Sequence, residues 1–315
     1  MTDIKSSVIK YVQTNKNTVI YASMLLVLLI VGAIIFSPYV LLLALVAFLV
    51  ALPLDLAFSK WRKKPFDPSF MVTPLLLTLL MPPAIPLWVV GIAAFFAVLF
   101  GKNIFGGSGK YVFTPALVGA VFVLISFPSQ MATHWVNPVT DIIGGATPLI
   151  NLNNNINPYP YTLTQLLLGN VPGSLGETFR LGIIVLGLLL IALKIADWRI
   201  PLSYLGFFFI ITAIFYYAFP DYLNARNIPY GKDPFTSLFV GGLLFGAFFI
   251  AVDPVIAPLT SKGKIIYGFG LALITFIIRN YGTFQEGVTF SLLIMAAVSP
   301  LIDNATQKKV EEVKL

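Results

Sequence analysis

Long apolar stretches alternate with short polar ones along the chain, at roughly 19–36, 39–58, 73–82, 85–100, 114–127, 179–195, 201–219, 237–252, 265–278 and 287–302. Most approach the ~20 residues a helix needs to cross the hydrocarbon core of a bilayer. Inside lipid every backbone polar group must be satisfied within its own segment, so helices are the expected elements and lipid the expected solvent. The third and eighth stretches are short. Each runs into prolines, Met81-Pro82-Pro83 in one and Asp253-Pro254 followed by Pro258 in the other. Proline removes a donor and clashes with the preceding turn. The pattern therefore predicts an all-α polytopic membrane protein of about ten transmembrane helices, two of them broken or half helices.

Composition strengthens this reading. Of 315 residues, 58% are hydrophobic and 10% charged, with a mean hydropathy of +0.90, whereas a soluble domain carries about a quarter charged residues. A single membrane domain over 1–315 is expected. The net charge of +7 does not point to nucleic acid, because the basic residues lie between apolar segments instead of clustering on a soluble surface. They report orientation. With the N-terminus in the cytoplasm, all of the 20 lysines and arginines except Arg180, Arg226, Lys232 and Arg279 fall on that side. The positive-inside bias then favours an even number of crossings with both termini cytoplasmic, in the cytoplasmic (inner) membrane. The run from Val19 to Phe36 lacks a small-residue cleavage pattern and reads as a retained helix, not a signal peptide.

Cysteine is absent and His134 is the single histidine, which excludes thiolate-bound iron–sulfur clusters, bis-histidine haem and ordinary zinc sites. No metal ligands are assigned; a redox centre here must be organic or held by oxygen. Under this topology the stretch from Pro128 to Thr178 faces outward and greatly exceeds the usual helix link of about 2–8 residues. Its Asn151 to Asn157 portion reads as turn-forming polar surface. Among ionisable groups, Asp55 precedes the basic run Lys60 to Lys64 by about a turn and is expected to pair with it. Asp253 sits at a helix break, where it can cap a freed donor, pair with a cation, or do both. Arg279 and Glu286 read as a solvated pair in an outer elbow, with a contact from Arg279 to an organic redox group as the functional alternative. His134 beside Trp135 reads as an interfacial anchor or as a stacking partner for an aromatic ring.

The two halves resemble each other. In each, a broken segment ends in prolines, a glycine-dotted helix follows, then a polar elbow and another apolar helix. The elbow Gly101-Lys102-Asn103-Ile104-Phe105-Gly106 parallels Arg279-Asn280-Tyr281-Gly282. With five segments per half the second copy runs upside down, the organisation of many transporters. Residues 19–127 form the first helical repeat, 128–178 the extracytoplasmic loop, 179–303 the second repeat and 304–315 a cytoplasmic tail.

The outer loop holds the most informative run, Asp141-Ile142-Ile143-Gly144-Gly145-Ala146-Thr147-Pro148-Leu149. A threonine after three small residues offers a hydroxyl that another enzyme can reach, and such a hydroxyl can become a phosphoester. Taken alone, such a string is better explained as an aspartate-initiated turn with structural glycines. Its neighbours stand in a fixed order: Gly101 to Gly109, Phe113-Thr114-Pro115-Ala116, Ser126 to Met131, Asp253-Pro254-Val255, Glu286-Gly287-Val288 and Pro300 to Asp303. Together these strings resemble the RnfD membrane subunit of the Rnf ion-translocating ferredoxin:NAD oxidoreductase complex, and more distantly the NqrB membrane subunit of the sodium-translocating NADH:quinone reductase. The resemblance runs from about Thr73 to Asp303.

The resemblance implies an inverted repeat of five helices and FMN joined through its phosphate to a threonine in an Asp-x-x-(Ser/Thr)-Gly-Ala-Thr motif. That threonine is Thr147, with Asp141, Gly145 and Ala146 as the other cofactor-binding positions; Gly144 stands where the family has Ser or Thr, and Thr114 where it has Asn. A second, non-covalent flavin such as riboflavin is compatible with it. The implied function is a membrane electron-carrier subunit of a redox-driven translocase that couples electron transfer between ferredoxin and NAD to Na+ or H+ movement. The isolated chain is not expected to be active alone. Implied partners are other membrane and membrane-anchored subunits, including a flavin-bearing extracytoplasmic one, and a flavin transferase for maturation. A passive channel or solute transporter of the same architecture explains the spans equally well, but not the run ending in Thr147.

Overall fold

Helix α1 (Lys16–Ile35) and helix α2 (Tyr39–Trp61) are joined by a tight turn at Phe36–Pro38. Both are apolar on all faces, as lipid-facing helices are. The computed structural model describes residues 15–63, 66, 68–144, 146–154, 160–219, 233–282 and 286–307. A 3-10 turn at Pro68–Met71 opens α3 (Val72–Leu79), which stops at the proline pair Pro82-Pro83. Helix α4 (Leu87–Val98) begins after Pro86 and widens into a π turn at Leu99–Asn103, and α5 (Pro115–Ser126) returns along it. Gly119 of α5 lies against the Ala93 carbonyl of α4, where no Cβ would fit. Small residues let membrane helices approach this closely.

Among the described residues the 128–178 loop folds into four short helices: α6 (Pro128–Thr133), α7 (Pro148–Asn153), α8 (Leu163–Leu168) and α9 (Leu175–Thr178). Proline at the first helical position or a Ser/Thr cap starts each of them. Beyond them lie α10 (Arg180–Ala192) and α11 (Arg199–Ala218), then α12 (Pro234–Phe239). Next come α13 (Leu243–Phe245), which continues as a π turn at Gly246–Ile250, then α14 (Ser261–Tyr281) and α15 (Val288–Thr306). The eighth apolar stretch is thus broken between α12 and α13, at Val240–Gly242, where Gly241 takes a left-handed φ of 65° that a glycine adopts without strain.

Among the described residues the fold is all-helical apart from one isolated bridge, Val136 to Ile143. Five helices among the described residues (α1, α2, α11, α14 and α15) are long and apolar enough to cross a membrane. The Ser69–Leu79, Leu87–Asn103, Pro115–Ser126 and Arg180–Ala192 helices are apolar but shorter. Exposed leucines and isoleucines such as Ile34, Leu49 and Leu202 cover outward faces, as expected where lipid replaces water. One continuous apolar core joins both halves. Helix α9 wedges between them: an added methyl at Gly176 would stand 2.9 Å from the Leu79 carbonyl oxygen of α3's end and 3.1 Å from the Phe245 ring of α13. The Tyr21 hydroxyl of α1 donates to the Phe249 carbonyl at 2.6 Å, a second tie between the halves.

Candidate functional site

The polar groups sort toward two ends of the bundle. Lys264 and Arg279 lie on the single helix α14, 15 residues apart in the sequence, or about 22 Å along its axis. Around the Lys264 end gather Asp197, which accepts from the Lys264 ammonium at 2.7 Å, and Asp303, which accepts from the Leu259 and Thr260 backbone N–H groups at 2.9 and 3.4 Å. Asp253, at the break after α13, accepts from the Tyr111 hydroxyl at 2.9 Å, from the Thr114 hydroxyl at 3.5 Å and from the Val255 N–H at 3.0 Å. Asp253 therefore caps freed backbone and ties the 103–114 elbow of the first half to the second.

The sequence places Asp55 beside Lys60 to Lys64; the structure pairs it elsewhere. Its carboxylate accepts from the Lys102 ammonium at 2.8 Å and from the Asn103 amide at 2.9 Å, and all three residues are buried. Adjacent side chains on a regular α-helix point about 100° apart. The π turn at Leu99–Asn103 widens the helix and lets both neighbours reach one carboxylate. No periodicity argument exposes that geometry.

At the Arg279 end a cavity of about 340 Å³ opens between the 128–178 loop and the two broken segments. Its walls are apolar, from Leu124 of α5, Met131 of α6, Trp135, Phe245 of α13 and Leu292 of α15. Its polar groups are Thr147, Ser174, Glu177, Glu286 and Thr289, with the backbone of Gly241 and Gly242. Each is fixed by local structure. A capping box holds Glu177, whose carboxylate accepts from the Ser174 N–H at 2.7 Å. Glu286 accepts from the Gly242 and Val288 N–H groups, each at 3.2 Å, and faces Arg279 at 3.7 Å.

Arg279 is not the solvated partner that its position in an elbow suggests. It is 5% exposed, donates to the Ser237 and Val240 carbonyls at 3.2 and 3.1 Å, and lies over the Phe208 ring. Burial pushes the Glu177 carboxyl up to about 7; the Glu286 charge adds to the shift, while the Ser174 N–H, Arg180 and Arg279 oppose it. Arg180, also buried, donates to the Leu166 carbonyl at 2.8 Å and so anchors α8 beneath the loop.

Thr147 lines this cavity and is 7% exposed. Its side-chain oxygen caps α7, accepting from the Ile150 N–H at 3.3 Å, so the hydroxyl is less open than the string of small residues suggests. Upstream, a short hairpin is closed by Gly144 N–H to the Trp135 carbonyl at 2.8 Å and Asn137 N–H to the Ile142 carbonyl at 3.0 Å. Asp141 sits in its turn, exposed and with a positive φ of 55°, and is absent from the cavity wall. Ala146 is exposed, and Gly145 lies outside the described residues. Asn151, expected on polar surface, is instead buried in α7. His134 hydrogen-bonds the Gln130 carbonyl at 2.9 Å and leaves Trp135 alone on the wall. Glu177 went unnoticed in the sequence; its Ser-x-x-Glu spacing signals a capping box, but nothing local shows that it meets Glu286.

A multi-pass helical membrane protein with a mixed polar and apolar cavity between two broken segments is the class that this fold and site define. Residues 4–312 match the NQR2, RnfD, RnfE family, and the chain belongs to that family. It is 35% identical to the D-type subunit of the Na(+)-translocating ferredoxin:NAD(+) oxidoreductase complex of Acetobacterium woodii, over 91% of this chain and 87% of that protein. Identity is also 35% to the D-type subunit of the proton-translocating ferredoxin:NAD(+) oxidoreductase complex of Clostridium ljungdahlii, over 79% of this chain and 77% of the relative. The B-type subunit of the Na(+)-translocating NADH-quinone reductase of Ectopseudomonas mendocina is 36% identical, over 82% of this chain and 64% of its own. These relatives are subunits of ion-translocating oxidoreductase complexes.

Proposed function

We propose that this chain is the membrane electron-carrier subunit of a ferredoxin:NAD-type translocase, with FMN bound covalently through its phosphate to Thr147. The observation that supports the reading best is the cavity behind Thr147. Its volume of about 340 Å³ falls in the range typical of small-molecule sites. Its apolar walls suit the faces of a flat ring, and its carboxyls and the backbone at Gly242 suit a polar edge. When bound, the flavin supplies the electron-carrying ring, while the protein supplies position and electrostatics.

The residues present fit such a group. Esterification removes the Thr147 hydroxyl proton but leaves the oxygen able to accept from the Ile150 N–H, so the cap on α7 is compatible with attachment. Trp135 and Phe245 would flank the ring. Glu177, whose pKa burial raises to about 7, would take up or release a proton at the cavity wall near neutral pH. Arg279 and Arg180, both buried nearby, offset the two carboxylates. Since Thr147 is 7% exposed, attachment precedes closure of the 144–150 segment, and Gly144, with a φ of 97°, gives that segment its turn.

The spans follow the same reading. The shorter helices α3, α4, α5 and α10 and the broken pair α12 and α13 complete about ten membrane segments in two inverted five-helix repeats. In this register α3 corresponds to α13, α4 to α14 and α5 to α15. Both termini lie in the cytoplasm and the 128–178 loop outside, where Thr147 faces a partner subunit's flavin. Electron passage is coupled to movement of Na+ or H+, the two cations in the names of the similar proteins.

The test is chemical. Coexpressed with an active flavin transferase, the peptide containing Thr147 should exceed its chain mass by one FMN less water, with in-gel fluorescence lost in Thr147→Ala. Colourless protein of unmodified mass would overturn the reading. For coupling, the reconstituted complex should build a cation gradient during ferredoxin oxidation; electron flow indifferent to both cations and to the membrane potential would refute it.

A further inference from the structure

A second pocket, of about 380 Å³, lies away from the Thr147 cavity at the elbow between α10 and α11, under the break after α13. Its charged lining is basic in balance. Lys194 and Lys264 both line it, and the single lining carboxylate, Asp197, is already shared between Lys264 at 2.7 Å and Arg199 at 3.2 Å. The Lys194 side chain is exposed and has no partner among the described residues, and its backbone adopts a left-handed φ of 58°. Two lining lysines against one lining carboxylate leave the charge of Lys194 unbalanced within a pocket roomy enough for a phosphate and its ester substituents.

The rim favours a lipid over a free anion. Leu259 and Trp198, both lining residues, are 72% and 51% exposed, and Leu202 at the start of α11 is 62% exposed. Exposed apolar side chains next to a basic pocket give acyl chains a surface and a headgroup a counter-charge. Trp198 and Arg199, stacked at 5.2 Å, have the composition of a membrane interface, where tryptophan and basic side chains concentrate. Basic pockets between membrane helices on the cytoplasmic side take anionic headgroups. The α10–α11 elbow falls on that side in the orientation given by the positive-inside bias.

We propose that this pocket is a binding site for the phosphodiester headgroup of an anionic phospholipid, with Lys194 as its principal free cation. A headgroup there would tie the α10–α11 elbow to Pro254 and Pro258 of the broken segment, stiffening a junction otherwise held by the Lys264–Asp197 contact and the Val252 and Ala257 packing.

The experiment is native mass spectrometry of the delipidated full chain in detergent, titrated with phosphatidylglycerol, phosphatidylcholine or inorganic phosphate. Phosphatidylglycerol should bind more tightly than phosphatidylcholine. The preference should weaken roughly fivefold in Lys194→Gly and roughly thirtyfold in Lys194→Glu, from the attraction of one lysine to an anionic lipid surface. Glycine suits the left-handed backbone at this position, so Lys194→Gly separates loss of charge from loss of fold. Equal binding of the two lipids, or preference unchanged in both variants, would overturn the site. So would displacement of phosphatidylglycerol by inorganic phosphate at comparable concentration, since that would make it a free-anion site.

Discussion

Lys102→Met would strand a carboxylate inside the bundle. Asp55 and Lys102 are 3% and 1% exposed and 2.8 Å apart, and the substitution would leave Asp55 with the Asn103 amide at 2.9 Å as its donor. Removing one partner of a buried ion pair costs about 3–5 kcal/mol, because the remaining charge is desolvated without compensation, whereas replacing both by apolar groups of similar size is often nearly neutral. Asp55→Leu combined with Lys102→Met should therefore recover most of the loss. The coupling between the two substitutions should be at least about 2 kcal/mol.

The assay is thermal unfolding of the full chain in detergent, followed by the loss of monodisperse protein on fluorescence-detected size exclusion. At about 2–4 °C per kcal/mol for a large domain, the single variant should fall by roughly 6–20 °C and the double should return to within a few degrees of the parent. A single variant within about 2 °C of the parent would refute the reasoning, and so would a double variant that loses the sum of both singles. Either result would mean that water or a mobile side chain already compensates Asp55.

Thr147→Ser should keep the covalent flavin and the α7 cap, while Thr147→Ala should lose the flavin and about 1 kcal/mol of local stability from the missing cap, measured by in-gel fluorescence and by hydrogen exchange at Ile150. Glu177 binds its proton more tightly folded than unfolded, because burial lifts its pKa to about 7. Its contribution to stability is therefore complete below the unfolded value and falls as pH rises from there through about 7; Glu177→Gln should flatten that part of a melting-temperature profile between roughly pH 3.5 and 8, one unit beyond each end of the transition. Gly176→Ala would place a methyl 2.9 Å from the Leu79 carbonyl oxygen and should cost about 1–3 kcal/mol by overpacking, with faster chymotryptic cleavage of the 128–178 loop, at sites such as Trp135 and Tyr161, as its readout.

The sequence alone determined the helical class, the lipid-facing surface and the breaks at the proline clusters, but not the break at Val240–Gly242 inside the eighth stretch. These depend on local quantities: segment length, hydropathy and the proline clusters at Met81-Pro82-Pro83 and Asp253-Pro254, each of which acts on its own turn. It also brought Thr147 forward, through a run of residues contiguous in the chain. Only the tertiary structure decided which charges meet. Asp55 looks across to Lys102 and Asn103 instead of along its own helix to Lys60, Arg279 lies buried between two carbonyls and a phenylalanine ring, and Glu177 shares a cavity with Glu286 far along the chain. Removing a charge from water creates a demand for a partner without specifying which one. Helix packing settles that choice, through widened turns and close glycine contacts whose geometry no single segment encodes.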